Sequence, residues 1–193
     1  KQKENAPRTR SRENFEKIRD LVLEEHQITH IIARDLFLFA CYAGTAYVDA
    51  VAITKENLVK DDNGKLWLKY KRGKNGSLCR VKLLPEAIAL IEKYKDDSRQ
   101  TIFPYMDYQA LKYSLYSIRE LAGFKGALSY HMGRHSFSTL ITLEAGVPIE
   151  TVSKMLGHSD ISTTQIYAKV TPKKLFEDMD KYIELTKDLK LVL

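Results

Sequence analysis

The stretch HMGRHSFSTLITLEAGVPIETVSKMLGHSDISTTQIYAKV, residues 131–170, gathers His131, Arg134, His135, His158 and Tyr167. His131 and Arg134 stand at i and i+3, so a helix sets them side by side on one face. Arginine carries a planar fork of donors matched to phosphate oxygens, and histidine gives or takes a proton near neutral pH. Together they suit a phosphodiester. Gly157-His158 follows the helical segment PIETVSKML, where glycine fits the left-handed residue that ends a helix, so His158 begins a loop. Ser159, Asp160, Ser162 and Thr163 then offer caps for one more helix, on which Tyr167 falls. A neutral phenol, with an ordinary pKa of about 10, is a poor nucleophile and attacks only beside a base and a strongly positive site. The neighbouring histidines and arginine supply both. His131 and His135, at i and i+4, also have zinc-ligand spacing, but the metalloprotease pattern needs Glu after the first His, and position 132 is Met. His135 reads as a packed core histidine.

The elements that must position these groups are legible in the periodicity. With 193 residues the chain can build one substantial core, and 44% hydrophobic and 29% charged residues are ordinary for a globular protein. The longest apolar run, DLFLFACYAG at 35–44, is too short to span a bilayer and too internal for a signal peptide. Cys41 and Cys79 have no disulfide or metal-knuckle spacing and read as packing residues of a reducing compartment. The net charge of +6 is drawn largely from the first twelve residues, but 65–82, KLWLKYKRGKNGSLCRVK, holds seven cations and no acid. A local basic block of that kind is a nucleic-acid signal.

The opening residues 1–12 read as a basic tail or linker. Phe15, Ile18, Leu21 and Val22 recur at helical spacing from a Ser11 cap, and a second helix covers about 30–43 before Gly44. The period then changes. Asp-Asn-Gly at 62–64 and Gly-Lys-Asn-Gly at 73–76 separate strand-like runs, predicting a three-stranded antiparallel meander. Helices follow from Pro85 to about Lys95, over 107–122, and through the segments punctuated by Gly146 and Gly157. After Pro172 a helix carries Leu175, Met179, Tyr182 and Ile183 on one stripe. The fold class is α+β, mainly helical with one small antiparallel sheet.

The ordered set of basic hairpin, His-x-x-Arg, Leu-Gly-His and a later Tyr resembles the catalytic domain of the tyrosine recombinase (phage-type integrase) family, over roughly residues 12–170. The likeness is to integrases of mobile elements in Bacteroides-like bacteria. It implies Tyr167 as nucleophile, His131 and Arg134 as phosphate-binding groups, and His158 as a further donor to the phosphate. Lys74 would be the general acid that protonates the departing 5′ oxygen, and Lys71, Arg72 and Arg80 would contact DNA. In CYAGTAYVDA the pattern aligns Gly44, Thr45, Tyr47, Val48 and Asp49 but puts Ala46 where the first catalytic arginine belongs. Asp49 would orient Arg134 as an acceptor behind it. Arg72 is the leading substitute for the missing arginine, since it lies two residues from Lys74 in the hairpin and would share its strand face, with Arg80 and Arg34 behind it.

The resemblance further implies double-stranded DNA as partner, a homotetramer on synapsed DNA, an accessory DNA-bending protein, no cofactor or metal, and a bacterial cytoplasmic, nucleoid-associated location. Residues 13–170 would be the catalytic domain, 171–193 a tail docking on a neighbouring subunit, and 1–12 the linker from an N-terminal DNA-clamping domain outside this sequence. Rival readings are a type IB topoisomerase-like enzyme and a non-catalytic DNA-binding relative, the latter raised by Ala46.

Overall fold

The computed structural model describes residues 12–123, 126–167 and 172–186, with side chains of the last stretch described from 176 to 185. Helix α1 (Arg12–Arg19) buries Phe15 and Ile18. It stops before Val22, which is 86% exposed, so the expected apolar stripe ends early. The proposed Ser11 cap lies outside the described residues.

Helix α2 (Ile28–Ala43) runs through the middle of the core. Its run LFLFACYA is apolar on every side, and every residue of it is buried. A helix apolar all round must be wrapped by others. Helices α4 (Pro85–Lys93), α5 (Tyr108–Leu121) and α6 (Tyr130–Ser136) pack against it. Asp35 is the exception in this core, and its carboxylate is satisfied by Arg34 Nε at 3.0 Å, Lys93 Nζ at 2.5 Å and Tyr94 Oη at 2.9 Å. The close approach of α6 to α2 depends on Gly133, where a Cβ would sit 2.8 Å from the Phe37 carbonyl oxygen and 2.9 Å from Ala40 Cβ.

The expected meander is present as β1 (Leu58–Lys60), β2 (Leu66–Lys71) and β3 (Leu78–Lys82), in the order β1-β2-β3 and antiparallel throughout. Lys69 pairs with Arg80 and Lys71 with Leu78. Because side chains alternate along a strand, Lys69, Lys71, Arg80 and Lys82 share the exposed face, while Leu68, Tyr70, Cys79 and Val81 turn inward. The segment before the sheet holds a single-turn helix α3 (Tyr47–Ala50), capped by Ala46, that the sequence did not announce.

Two further departures matter for the site. After α6 the chain continues as a π-helix, Phe137–Leu143, instead of one uninterrupted α-helix. Hydroxyls support the wider turns: Ser138 Oγ donates to the Arg134 carbonyl at 3.0 Å, and Thr142 Oγ1 donates to the Phe137 carbonyl at 2.9 Å. Such widened turns are rare and recur beside functional sites. Helix α7 (Ile149–Met155) then packs Val152 and Leu156 against Phe137 and Val81, a small second core that fixes the end of α7 behind the sheet. The short helix α8 (Ser162–Gln165) and the helix α9 (Pro172–Thr186) follow.

Candidate active site

Arg134 is the centre of the site and is only 3% exposed. Nη1 donates to the Gly44 carbonyl at 2.5 Å and Nη2 to the Leu156 carbonyl at 2.6 Å. These carbonyls close α2 and α7, and the C-terminal ends of helices are where a cation is favoured. One side chain therefore nails three elements together while remaining a buried cation. Burial works against that charge, and the nearby guanidinium of Arg72 works against it further.

His158 stands beside it. Gly157 takes a left-handed φ of 63° that lets the chain turn out of α7, and a Cβ there would lie 2.4 Å from Cys79 Sγ. The loop is thus seated directly on the hairpin. Arg134 Nη2 donates to His158 Nε2 at 3.2 Å, and guanidinium has no acceptor atom, so Nε2 carries the lone pair. Nδ1 then carries the proton and donates to Thr164 Oγ1 at 2.7 Å. Burial first, then the charges of Arg134 and Arg72, push His158 down to about 4, so the ring is neutral.

Thr164, fully buried in α8, was not singled out in the sequence. Its only signal there is its place between His158 and Tyr167. Through it His158 fixes α8, and α8 fixes the tyrosine. Tyr167 lies in the turn after α8, not on the helix itself, with its amide donating to the Thr164 carbonyl at 3.0 Å. Its ring meets His135 edge to face at a centroid separation of 4.8 Å. Burial raises the phenol above its ordinary range, and Arg134 and Arg72 pull in the opposite direction. His131, exposed at the rim, stacks edge to face on His135 at 4.3 Å. Partial burial, Arg134 and Arg72 lower its pKa in that order. Among the described residues, no group of three or more His, Cys, Asp or Glu side chains assembles that could hold a metal ion.

The hairpin turn closes the other side. Asn75 Nδ2 and, at a long 3.4 Å, Arg72 Nη1 approach the Gly157 carbonyl. Arg72 Nε is buried with no acceptor. Lys74 is exposed on the turn, close enough to His158 to lower its pKa. Arg72 therefore departs from the outward cationic face and enters the site, whereas Lys71 and Arg80 stay on that face. Arg34 is committed elsewhere, to Asp35 and the Leu21 carbonyl.

Asp49 does not meet Arg134 through a hydrogen bond. Its Oδ1 accepts from the Gly73 amide at 2.8 Å, and its Oδ2 is buried without a partner. The donors of Arg134 are directed to helix-end carbonyls and His158, so the expected pairing is replaced by a tether on the turn that carries Lys74. Ala46, two residues beyond Gly44, caps α3 at the edge of the site and brings no charge.

The pKa values predict a pH response. His135 and His158 are both pushed down to about 4, against about 6.5 in the unfolded chain. Below about 6.5 the unfolded state binds more protons, so stability falls as pH drops toward 4 and is unaffected by these groups above about 7. Both rings are only half-buried and so partly screened by solvent, and each is expected to cost at most about 1 kcal/mol between pH 7 and 5. Carboxylates held below their ordinary range, such as Asp61 and Asp160, act in a lower window. Urea melts at the two pH values check this, with His158→Gln flattening the slope.

A cage of buried and half-buried cations and neutral histidines around a tyrosine defines a class, and a family comparison agrees. A model of the Phage integrase family matches residues 12–174, and the chain belongs to that family. The chain is 35% identical over 122 residues to tyrosine recombinase XerA of Thermococcus onnurineus, covering 57% of this chain and 42% of that protein. It is 30% identical over 152 residues to tyrosine recombinase XerD of Pseudomonas putida, covering 72% and 49%. The chain thus spans about half or less of the curated relatives it matches. Among solved structures it is similar to XerH recombinase bound to difH substrate in a pre-cleavage complex, with TM-score 0.68 and 20% identity over 92% of this chain and 55% of that one. It is also similar to a lambda integrase dimer bound to a COC′ core site, with TM-score 0.65 and 15% identity over 85% and 63%. These likenesses show the recombinase catalytic fold. The curated relatives are Xer recombinases, and they do not carry the finer expectation of kinship with Bacteroides-type elements.

Proposed function

We propose that this chain is the catalytic part of a site-specific DNA recombinase that breaks and rejoins strands through Tyr167. The observation that carries the reading is the convergence of Tyr167, Arg134, His158, His131 and Arg72 on one site. In the reaction the Tyr167 hydroxyl attacks a scissile phosphate, forming a 3′-phosphotyrosyl bond as the bond to the 5′ oxygen breaks. Neutral His131 is suited to take the phenol proton, and Lys74 gives one to the departing oxygen. The free 5′ hydroxyl of a partner strand then reverses the chemistry, so the bond energy is conserved and no external energy source is needed. Arg134 and Arg72 hold the nonbridging oxygens. His158 presents a lone pair in the free protein, so it donates to the phosphate only after gaining a proton or exchanging tautomer as Arg134 turns to the anion.

Lys69, Lys71, Arg80 and Lys82 supply a face suited to the DNA backbone. Phe176, Met179, Tyr182, Ile183 and Leu185 are exposed on α9, which supports docking of the tail on a neighbouring subunit in a DNA-bound tetramer. The side chain of Leu175 lies outside the described residues. Mobile-element integration on the bacterial nucleoid, with a DNA-bending partner, is the setting this reading implies. Among the described residues no helix is long and apolar enough to cross a membrane.

The test is covalent capture. The chain is incubated with pooled nicked duplexes of random sequence, denatured, and the DNA-bearing peptide mapped. An adduct on Tyr167 supports the reading; its absence across the pool favours a non-catalytic DNA-binding relative, the alternative that Ala46 raises.

Lys74 can be tested separately. Its loss is expected to slow cleavage by about 100-fold or more, with the rate restored on a 5′-phosphorothiolate substrate whose sulfur leaves without a proton. An unrestored rate would remove Lys74 from the acid role.

A further inference from the structure

The Tyr167 backbone does not by itself aim the phenol. Tyr167 follows a helix of one turn, and its amide donates a hydrogen bond back to the Thr164 carbonyl at 3.0 Å. That bond sets where the residue stands and leaves the ring free to turn about its side-chain bonds. Among the described residues its ring packs edge to face on His135, at 4.8 Å and an interplanar angle of 74°. His135 is in turn wedged against His131 at 4.3 Å and 82°.

We propose that His135 is a positioning residue for Tyr167, its ring acting as the platform that aims the phenol at the cage. The inference rests on Tyr167 being the nucleophile.

The surroundings of His135 favour this role over phosphate binding. Its backbone is fixed on α6 one residue beyond Arg134, and Thr139 Oγ1 donates to its carbonyl at 2.9 Å. The platform therefore moves with the arginine that centres the site. Nδ1 is buried without a partner, so nothing there accepts a second proton from the ring. Burial, His131 and Arg134 together push its pKa to about 4. An uncharged ring does not compete for the phosphate that Arg134 and His158 face, yet an edge-to-face pair holds a neighbouring aromatic ring in a defined direction. Misdirecting a reacting atom by about 1 Å can cost about 100-fold in rate.

Two variants of the full chain, His135→Ala and His135→Phe, compared with the parent, separate positioning from mere packing. Single-turnover cleavage is measured at saturating DNA, beside DNA affinity and thermal midpoint. His135→Ala is expected to cleave about 10- to 100-fold more slowly with unchanged affinity, and His135→Phe to recover most of that loss by restoring the ring contact. A second readout needs no cleavage. In chains with isotope-labelled tyrosine, the Tyr167 ring resonances, assigned with Tyr167→Phe, should move to those of an unstructured tyrosine in His135→Ala and stay dispersed in His135→Phe. Unchanged Tyr167 resonances in His135→Ala overturn the proposal. So does a cleavage rate within about twofold of the parent, or a lost rate that His135→Phe fails to restore while restoring the thermal midpoint. If the parent itself forms no adduct, the recombinase reading fails, and the resonances alone decide whether His135 holds the ring.

Discussion

Tyr167→Phe is expected to abolish the covalent protein–DNA adduct while leaving the fold and DNA affinity nearly intact. The substitution removes one oxygen and keeps the ring, so the edge-to-face contact with His135 survives. The hydroxyl makes no hydrogen bond to any described residue, and its loss leaves no buried partner unsatisfied. Stability should therefore change by less than about 0.5 kcal/mol. Affinity should stay within about twofold, because the backbone is held by cations that the substitution does not touch. Chemistry should respond differently. Without the phenol oxygen no covalent bond to phosphorus can form, and the adduct should fall at least about 1000-fold, below detection. The check is denaturing electrophoresis of nicked substrate with parent and variant at matched occupancy. An adduct of parental yield in the variant would move the nucleophile elsewhere. Lost affinity would instead make Tyr167 a binding residue.

The parts of this site that could be read from the sequence are those in which spacing alone dictates geometry. His131 and Arg134 share a face because a helix puts i and i+3 together, and Gly157 ends α7 because its φ of 63° suits glycine. The hairpin turns were equally plain, as Asn-Gly and Gly-Lys-Asn-Gly leave few alternatives to a reversal. What was not legible depends on contacts distant in sequence. Tyr167 falls off α8 because the helix is held by one buried threonine and stops after a turn. The π-helix after Ser136 has no local signature beyond a run of hydroxyl residues, each of which would be unexceptional on an α-helix. Asp49 was expected behind Arg134, but helix-end carbonyls from Gly44 and Leu156 already occupy those donors. Its carboxylate reaches the hairpin amide of Gly73 instead. Lys74 lies on the turn, as its Gly-Lys-Asn-Gly setting led one to expect, so the strand alternation that was to place Arg72 beside it does not reach that far; Arg72 enters the site from the strand end, across the Gly157 loop.

That displacement of Arg72 gives the second large expectation. Arg72→Ala should cut single-turnover cleavage by about 100-fold or more on saturated DNA, a loss of about 3 kcal/mol of transition-state stabilisation. Two guanidinium groups, Arg72 and Arg134, stand close enough to oppose each other's charge, and Arg72 Nε is buried with no acceptor. Like charges and an orphaned donor are unfavourable in the free protein and become favourable once an anion sits between them. The resemblance led one to expect an arginine at position 46, where this chain has Ala46. One turn on in α3, Asp49 has a buried Oδ2 without a partner. In the Arg72→Ala background, Ala46→Arg should therefore restore part of the rate, with Asp49 accepting from the new guanidinium at i+3. The thermal midpoint of Arg72→Ala separates this from a structural role. Removing one of two opposed cations should leave the free protein as stable as before or more so, whereas a residue kept for packing would lower the midpoint together with the rate. A parental cleavage rate in Arg72→Ala would leave the phosphate to Arg134 and the histidines alone.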